Sequence, residues 1–132
     1  FQAEDGIRDF CLSRGLGDVY KRQLVRCVKG EILDVIVDVR AGSNTFGEWL
    51  SFKLNDVNQY ILYVPEGFLH SFVVLSDSAI VHYKASCEYC ANCEDGVVWN
   101  DKILDIDWQI KDPIVSDKDK QLKKFIDFEA YK

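Results

Sequence analysis

Two histidines, one tyrosine, one aspartate and a run of cysteines are the side chains here whose types and spacing could do chemistry. Residues 63–84, YVPEGFLHSFVVLSDSAIVHYK, hold both histidines. A Pro-Glu-Gly turn leads into an apolar stretch carrying His70. The polar turn Ser76-Asp77-Ser78 then leads into a second stretch carrying His82 and Tyr83. This is the pattern of a β-hairpin with ionisable groups among buried positions. His70 shares a strand face with Phe68, Phe72 and Val74, and Leu69, Ser71 and Val73 share the other. A histidine on a strand apolar on both sides is either a hydrogen-bonded core residue or the lining of a pocket. Tyr83 falls with Val81 and Ala85, while His82 and Lys84 point the opposite way. A buried tyrosine contributes area and one hydrogen bond. A phenol also serves as a general acid where a carbanion or enolate needs a proton.

Cys87, Cys90 and Cys93 follow a C-x2-C-x2-C spacing, that of a zinc or iron–sulfur corner. A second pair of that kind is absent, so Cys27 or a histidine would have to complete the set through the fold. Free thiols in a loop are the plainer reading. No His-x-His metal signature follows His70, because Ser71 and Phe72 stand there, which disfavours a metal oxygenase. Ser116-Asp117-Lys118-Asp119 fits a helix-capping run and gives Asp119 a structural role.

The elements that must position these groups are strands. LVRCVKG (24–30), ILDVIVDVR (32–40), EWLSFKLN (48–55), YILYV (60–64), FLHSFVVL (68–75) and AIVHYKAS (79–86) are rich in Val, Ile and aromatic residues and separated by short polar turns. Leu33, Val35, Val37 and Val39 form one face of the second strand. Ile32, Asp34, Ile36, Asp38 and Arg40 form a more mixed one. No helical pattern intervenes, so the arrangement is antiparallel, and a double-sheet jelly roll fits best. Residues 87–118 are irregular, with a short strand at 97–99. Residues 119–132 suggest a short amphipathic C-terminal helix with Leu122, Phe125 and Ile126 on one side.

Composition excludes several classes. The chain has 132 residues, 48% apolar, with a net charge of −6. That is one globular domain without the basic face of a nucleic-acid reader. No apolar run approaches the ~18 residues of a membrane span, and five cysteines without a secretory signal read as reduced thiols. Residues 1–23, FQAEDGIRDFCLSRGLGDVYKRQ, show neither strand alternation nor a helical stripe, and resemble the translation of a sequencing adapter. The expected fold therefore starts at Leu24, with 1–23 an artefactual segment outside it.

From Leu24 onward the chain resembles the dTDP-4-dehydrorhamnose 3,5-epimerases, cupin-fold enzymes acting on a nucleotide sugar. The resemblance rests on LVRCVKGEILDVIVDVRAGSNTFGEW (24–49), YVPEGFLHSFVVLSDSAIVHYK (63–84), GVVWND (96–101), IDW (106–108) and IVSDKD (114–119), in the family's order and spacing. It implies an all-β, cupin-type double-sheet jelly roll and a cytoplasmic isomerase of dTDP-rhamnose synthesis that works as a homodimer. The substrate ketone at C4 acidifies the hydrogens at C3 and C5. A base removes a proton to leave an enolate, and an acid on the other face returns one, with no cofactor. The alternatives are a non-catalytic sugar-nucleotide-binding cupin and a related 3-epimerase or ketoisomerase.

Carried over by motif, Tyr83 in VHYK matches the proton donor and Asp119 in SDKD matches the aspartate that pairs with the base. His70 matches a pocket histidine, Tyr89 a substrate-contacting aromatic, and Lys118 a diphosphate contact. Two departures follow. The family's base lies in an Arg-Gly-Leu-His segment that is absent, so no residue here stands as the base. Gln23 precedes Leu24-Val25-Arg26 where the family has a lysine that holds developing negative charge. Both imply a jelly roll left incomplete by N-terminal truncation, with about sixty or more family residues expected upstream. A chain without the base is expected to be inactive.

Overall fold

The computed structural model describes residues 16–17, 19–86 and 96–132, with Leu16, Gly17 and Lys118 as backbone only. Among these, eight strands form two sheets: β1 (Leu16–Gly17), β2 (Gln23–Lys29), β3 (Glu31–Asp38), β4 (Trp49–Asn55), β5 (Ile61–Val64), β6 (Phe68–Val74), β7 (Ile80–Ala85) and β8 (Gly96–Val97). The larger sheet runs β4-β3-β6-β1-β8 and the smaller β5-β2-β7. The pairings are antiparallel. This is the double-sheet architecture that the alternating strands predict, with almost no helix.

Strand β3 is buried along both faces, and its two faces enter two different cores. Ile32 joins Leu54, Phe72, Val74, Val25, Cys27, Ala79 and Val81 between the sheets. Leu33, Val35, Val37 and Val39 join Leu69, Val73, Val97, Leu104, Trp108 and Val115 on the outer side of the larger sheet. Burying each such aliphatic side chain contributes roughly 1.5–3 kcal/mol. The outer cover is the irregular C-terminal segment. The indole N–H of Trp49 donates to the Leu104 carbonyl at 2.9 Å, and that of Trp108 to the Trp99 carbonyl at 2.8 Å. Buried Asp101 accepts the backbone N–H groups of Ile103, Leu104 and Phe125. The smaller sheet is one-sided: Gln23, Val25 and Cys27 of β2 point inward, and Leu24 is exposed.

One expectation needs correcting. The terminal helix is a single turn, α1 (Asp117–Lys120), followed by a 3-10 turn at Phe125–Asp127. The backbone between them is already used by the sheet: Val97 bridges Lys123, and Val98 N–H donates to the Lys123 carbonyl. Ile126, expected on a buried helical face, is 73% exposed. Further on, Tyr131 N–H donates to the Val39 carbonyl, and Ala41 N–H to the Tyr131 carbonyl, which holds the C-terminal residues extended. Residues before Leu24 also make contacts in this structure. Gln23 opens β2, Val19 lies in the outer core with its carbonyl accepting Gly67 N–H, and β1 inserts between β6 and β8.

Candidate active site

Residues Gln23, Asp34 and His70 meet between the sheets. The β3–β6 register pairs Asp34 with Phe72 and Ile36 with His70, so Asp34 and His70 stand diagonally on the inward face. His70 Nε2 lies 2.9 Å from Asp34 Oδ2, and Nδ1 lies 3.0 Å from Gln23 Oε1 across the sandwich. All three are buried. Burial pushes the Asp34 carboxyl above the usual carboxylate range, and the neighbouring His70 offsets part of that rise. Asp34 Oδ1 and Gln23 Nε2 have no hydrogen-bond partner.

Tyr83 stands on the opposite wall. Strand β7 pairs Tyr83 with Val25 and Val81 with Cys27, so Tyr83 shares the inward face with Gln23. It is half-buried and packs against the inter-sheet core. His82 faces outward and is exposed, as its alternation predicts. Tyr83 and His70 thus look into one interior from different sheets.

Asp119 lies on α1, is buried, and its backbone N–H donates to Ser116 Oγ at 3.2 Å, the expected capping contact. The segment that follows bridges β8 through Lys123; β8 pairs with β1, and Gly17 of β1 pairs with His70. Tyr89, Cys87, Cys90, Cys93 and the Lys118 side chain lie outside the described residues. Cys27, the candidate further metal ligand, is buried in the inter-sheet core and donates to the Lys29 and Gly30 carbonyls. Burial, reinforced by the Asp56 charge, pushes its thiol up to about 11.

At the Asp38 end, a cavity of about 130 Å³ is lined by Ile36, Asp38, Thr45, Glu48, Trp49, Leu50 and Phe68. The Arg40 guanidinium sits 4.8 Å from the centre of the Phe68 ring. Asp38 accepts from Arg40, Ser43 and Thr45, and the Arg40 contact leads in holding its carboxyl far below the usual range.

Sequence comparison identifies the relatives of this arrangement. The sequence model of the dTDP-4-dehydrorhamnose 3,5-epimerases matches residues 14–127. The chain belongs to that family. The Shigella flexneri epimerase is 45% identical over 109 residues, covering 83% of this chain and 60% of its own length. The Methanothermobacter thermautotrophicus epimerase is 43% identical over 104 residues, covering 76% and 56%. The chain therefore spans somewhat over half the length of these curated relatives. Among solved structures, the Bacillus anthracis epimerase with TDP and PPi bound superposes with a TM-score of 0.85 at 39% identity, covering 91% of this chain and 70% of that one. A Legionella pneumophila epimerase in complex with dTDP-4-keto-L-rhamnose gives 0.85 at 34%, covering 96% and 71%. These neighbours establish the cupin-like epimerase fold.

The family match draws attention to a signal that sequence reading missed. It begins at residue 14, and Arg14-Gly15-Leu16-Gly17 repeats three of the four residues of the family's Arg-Gly-Leu-His run. The last residue of this run, Gly17, pairs with His70. Asp34 is a second site residue absent from the sequence-based candidates. In the sequence it is only a polar interruption on a mixed strand face, and nothing local marks it as the partner of a histidine 36 residues away.

Proposed function

We propose that this fold serves the reaction for which its family is named. That reaction is epimerisation at C3 and C5 of dTDP-4-dehydro-6-deoxyglucose by proton removal and return, within dTDP-rhamnose synthesis. The observation that supports this reading best is Tyr83 and His70 facing one inter-sheet space, in a chain of this family. In this reading Tyr83 returns the proton to the enolate and His70 lines the sugar pocket. Asp119 pairs with the base, Tyr89 contacts the substrate, and Lys118 contacts the diphosphate. The enzyme works in the cytoplasm as a homodimer, and the dTDP-sugar is its ligand.

Neither histidine of the chain is placed to be the base. Both ring nitrogens of His70 are hydrogen-bonded, and His82 is exposed on the outer face. The chain as it stands is expected to show no solvent deuterium exchange into the 4-keto sugar nucleotide; exchange at the rate of a complete epimerase refutes the missing-base argument. We further propose that residues 1–23 are foreign to the gene. The genomic locus is expected to encode 24–132 without them, and a locus encoding both refutes it.

A further inference from the structure

Along β6, His70 has two unlike neighbourhoods on the inward face of the larger sheet. On one side Phe72 and Val74, with Ile32 of β3 and Leu54 of β4, are packed into the inter-sheet core. A ligand group enters there only by displacing close-packed side chains. On the other side lies the cavity of about 130 Å³ at the Asp38 end. Its lining residue Ile36 pairs with His70 on β6 and with Leu50 on β4. Phe68, also in its lining, is two residues from His70 on the same strand face. Cross-strand partners stand about 5 Å apart, so the cavity adjoins the histidine. A group bound against His70 therefore has room along the strand toward Ile36, Leu50 and Phe68.

Size and lining say what the cavity takes. At about 130 Å³ it is smaller than the roughly 300 Å³ at which small-molecule pockets begin. It holds a substituent and not a whole sugar ring. Ile36, Trp49, Leu50 and Phe68 give it apolar walls. Two of these walls are fixed by their own contacts. The Trp49 indole N–H donates to the Leu104 carbonyl, and the Phe68 ring lies beneath the Arg40 guanidinium that Asp38 clamps. Among the polar lining groups, Asp38 accepts from Thr45 as well as from Arg40 and Ser43, which commits both Asp38 and Thr45. Glu48 is the lining group left to compete for a hydroxyl.

The geometry points to this cavity as the seat of the sugar's C6 methyl group, with Ile36, Leu50 and Phe68 selecting a 6-deoxy sugar. The inference rests on the reading that His70 lines the sugar pocket. In that reaction the methyl is bonded to C5, one of the two inverted carbons, so its seat also fixes a reacting centre. A methyl fills the apolar niche, whereas a 6-hydroxyl there gives up water for walls that cannot bond it. Calorimetric titration of the chain with dTDP-6-deoxyglucose and dTDP-glucose, which differ by that one oxygen, tests this. The 6-deoxy compound is expected to bind about tenfold more tightly. Leu50 is 61% exposed on the edge strand β4, so Leu50→Gln changes the cavity wall without opening the core. It is expected to erase the preference. Val28→Gln, on the exposed outer face of the smaller sheet, is expected to keep it. Equal binding of the two sugars to the unaltered chain overturns the inference, and so does tighter binding of dTDP-glucose. A preference retained in Leu50→Gln overturns it as well. Binding of neither sugar is a separate result, which overturns the sugar-pocket reading together with the inference.

Discussion

Asp38→Asn isolates the electrostatic anchor at the open end of the sandwich. The Asp38 side chain is 3% exposed. Its carboxylate accepts from the Arg40 backbone N–H at 3.0 Å, from Arg40 Nε at 3.0 Å and from the terminal guanidinium nitrogen at 2.9 Å. It also accepts from Ser43 Oγ at 2.6 Å and Thr45 Oγ1 at 2.5 Å. Asparagine keeps one acceptor oxygen and turns the other into a donor facing donors. Hydrogen bonds to a charged group contribute about 1.5–3 kcal/mol each in favourable cases. Arg40 is 48% exposed, so water screens much of its share, and the hydroxyls can rotate to water. A net loss of about 2–3 kcal/mol near pH 7 is expected. Urea denaturation reads it as a lower midpoint at unchanged slope. The pH dependence supplies the sharper test. The folded carboxyl lies below its unfolded value, so its stabilisation is complete above about pH 4 and drains away as pH falls toward the folded value. The gap between wild type and Asp38→Asn should therefore narrow in acid. A gap under about 0.5 kcal/mol at neutral pH, or one that stays constant down to about pH 2, refutes the reasoning.

Gly30 and Gly42 form a matched pair, both with positive φ, at 81° and 76°. A Cβ at Gly30 would stand 2.2 Å from the Ser78 carbonyl oxygen, whereas one at Gly42 meets nothing within 4 Å. Gly42→Ala should cost about 1 kcal/mol from the backbone alone, and Gly30→Ala about 3 kcal/mol or more, read by thermal unfolding; equal losses would show that the clash relaxes away. In a chain given exchange activity, Tyr83→Phe should abolish inversion while calorimetric binding of dTDP stays within about twofold. Unchanged inversion would remove Tyr83 from the donor role.

The strand pattern was legible because alternation is a local property. The faces of β6 and β7 needed no tertiary information: Phe68, His70, Phe72 and Val74 share one face, and His82 turns away from Tyr83, as their spacing predicts. The C-terminal region was less legible. The apolar spacing of Leu122, Phe125 and Ile126 mimics a helical stripe, yet the backbone there serves the edge of a sheet built from residues far upstream.

By itself, the sequence determined the β class, the two-sheet architecture, and the family, whose motifs run in order from Leu24 to Asp119. It also determined that neither histidine lies in a complete Arg-Gly-Leu-His run. Only the tertiary structure decided which groups meet. Both faces of β3 are buried, the mixed one as well as the apolar one, so alternation cannot say which one turns toward the smaller sheet; the packing of two separate cores does. That choice points Asp34 inward, where it reaches His70 from 36 residues away, and brings Gln23 to the same ring from 47 residues away. Such contacts depend on strand register and sheet stacking, long-range quantities that no local spacing encodes. They turn His70 from a histidine on an apolar strand into a ring with both nitrogens committed.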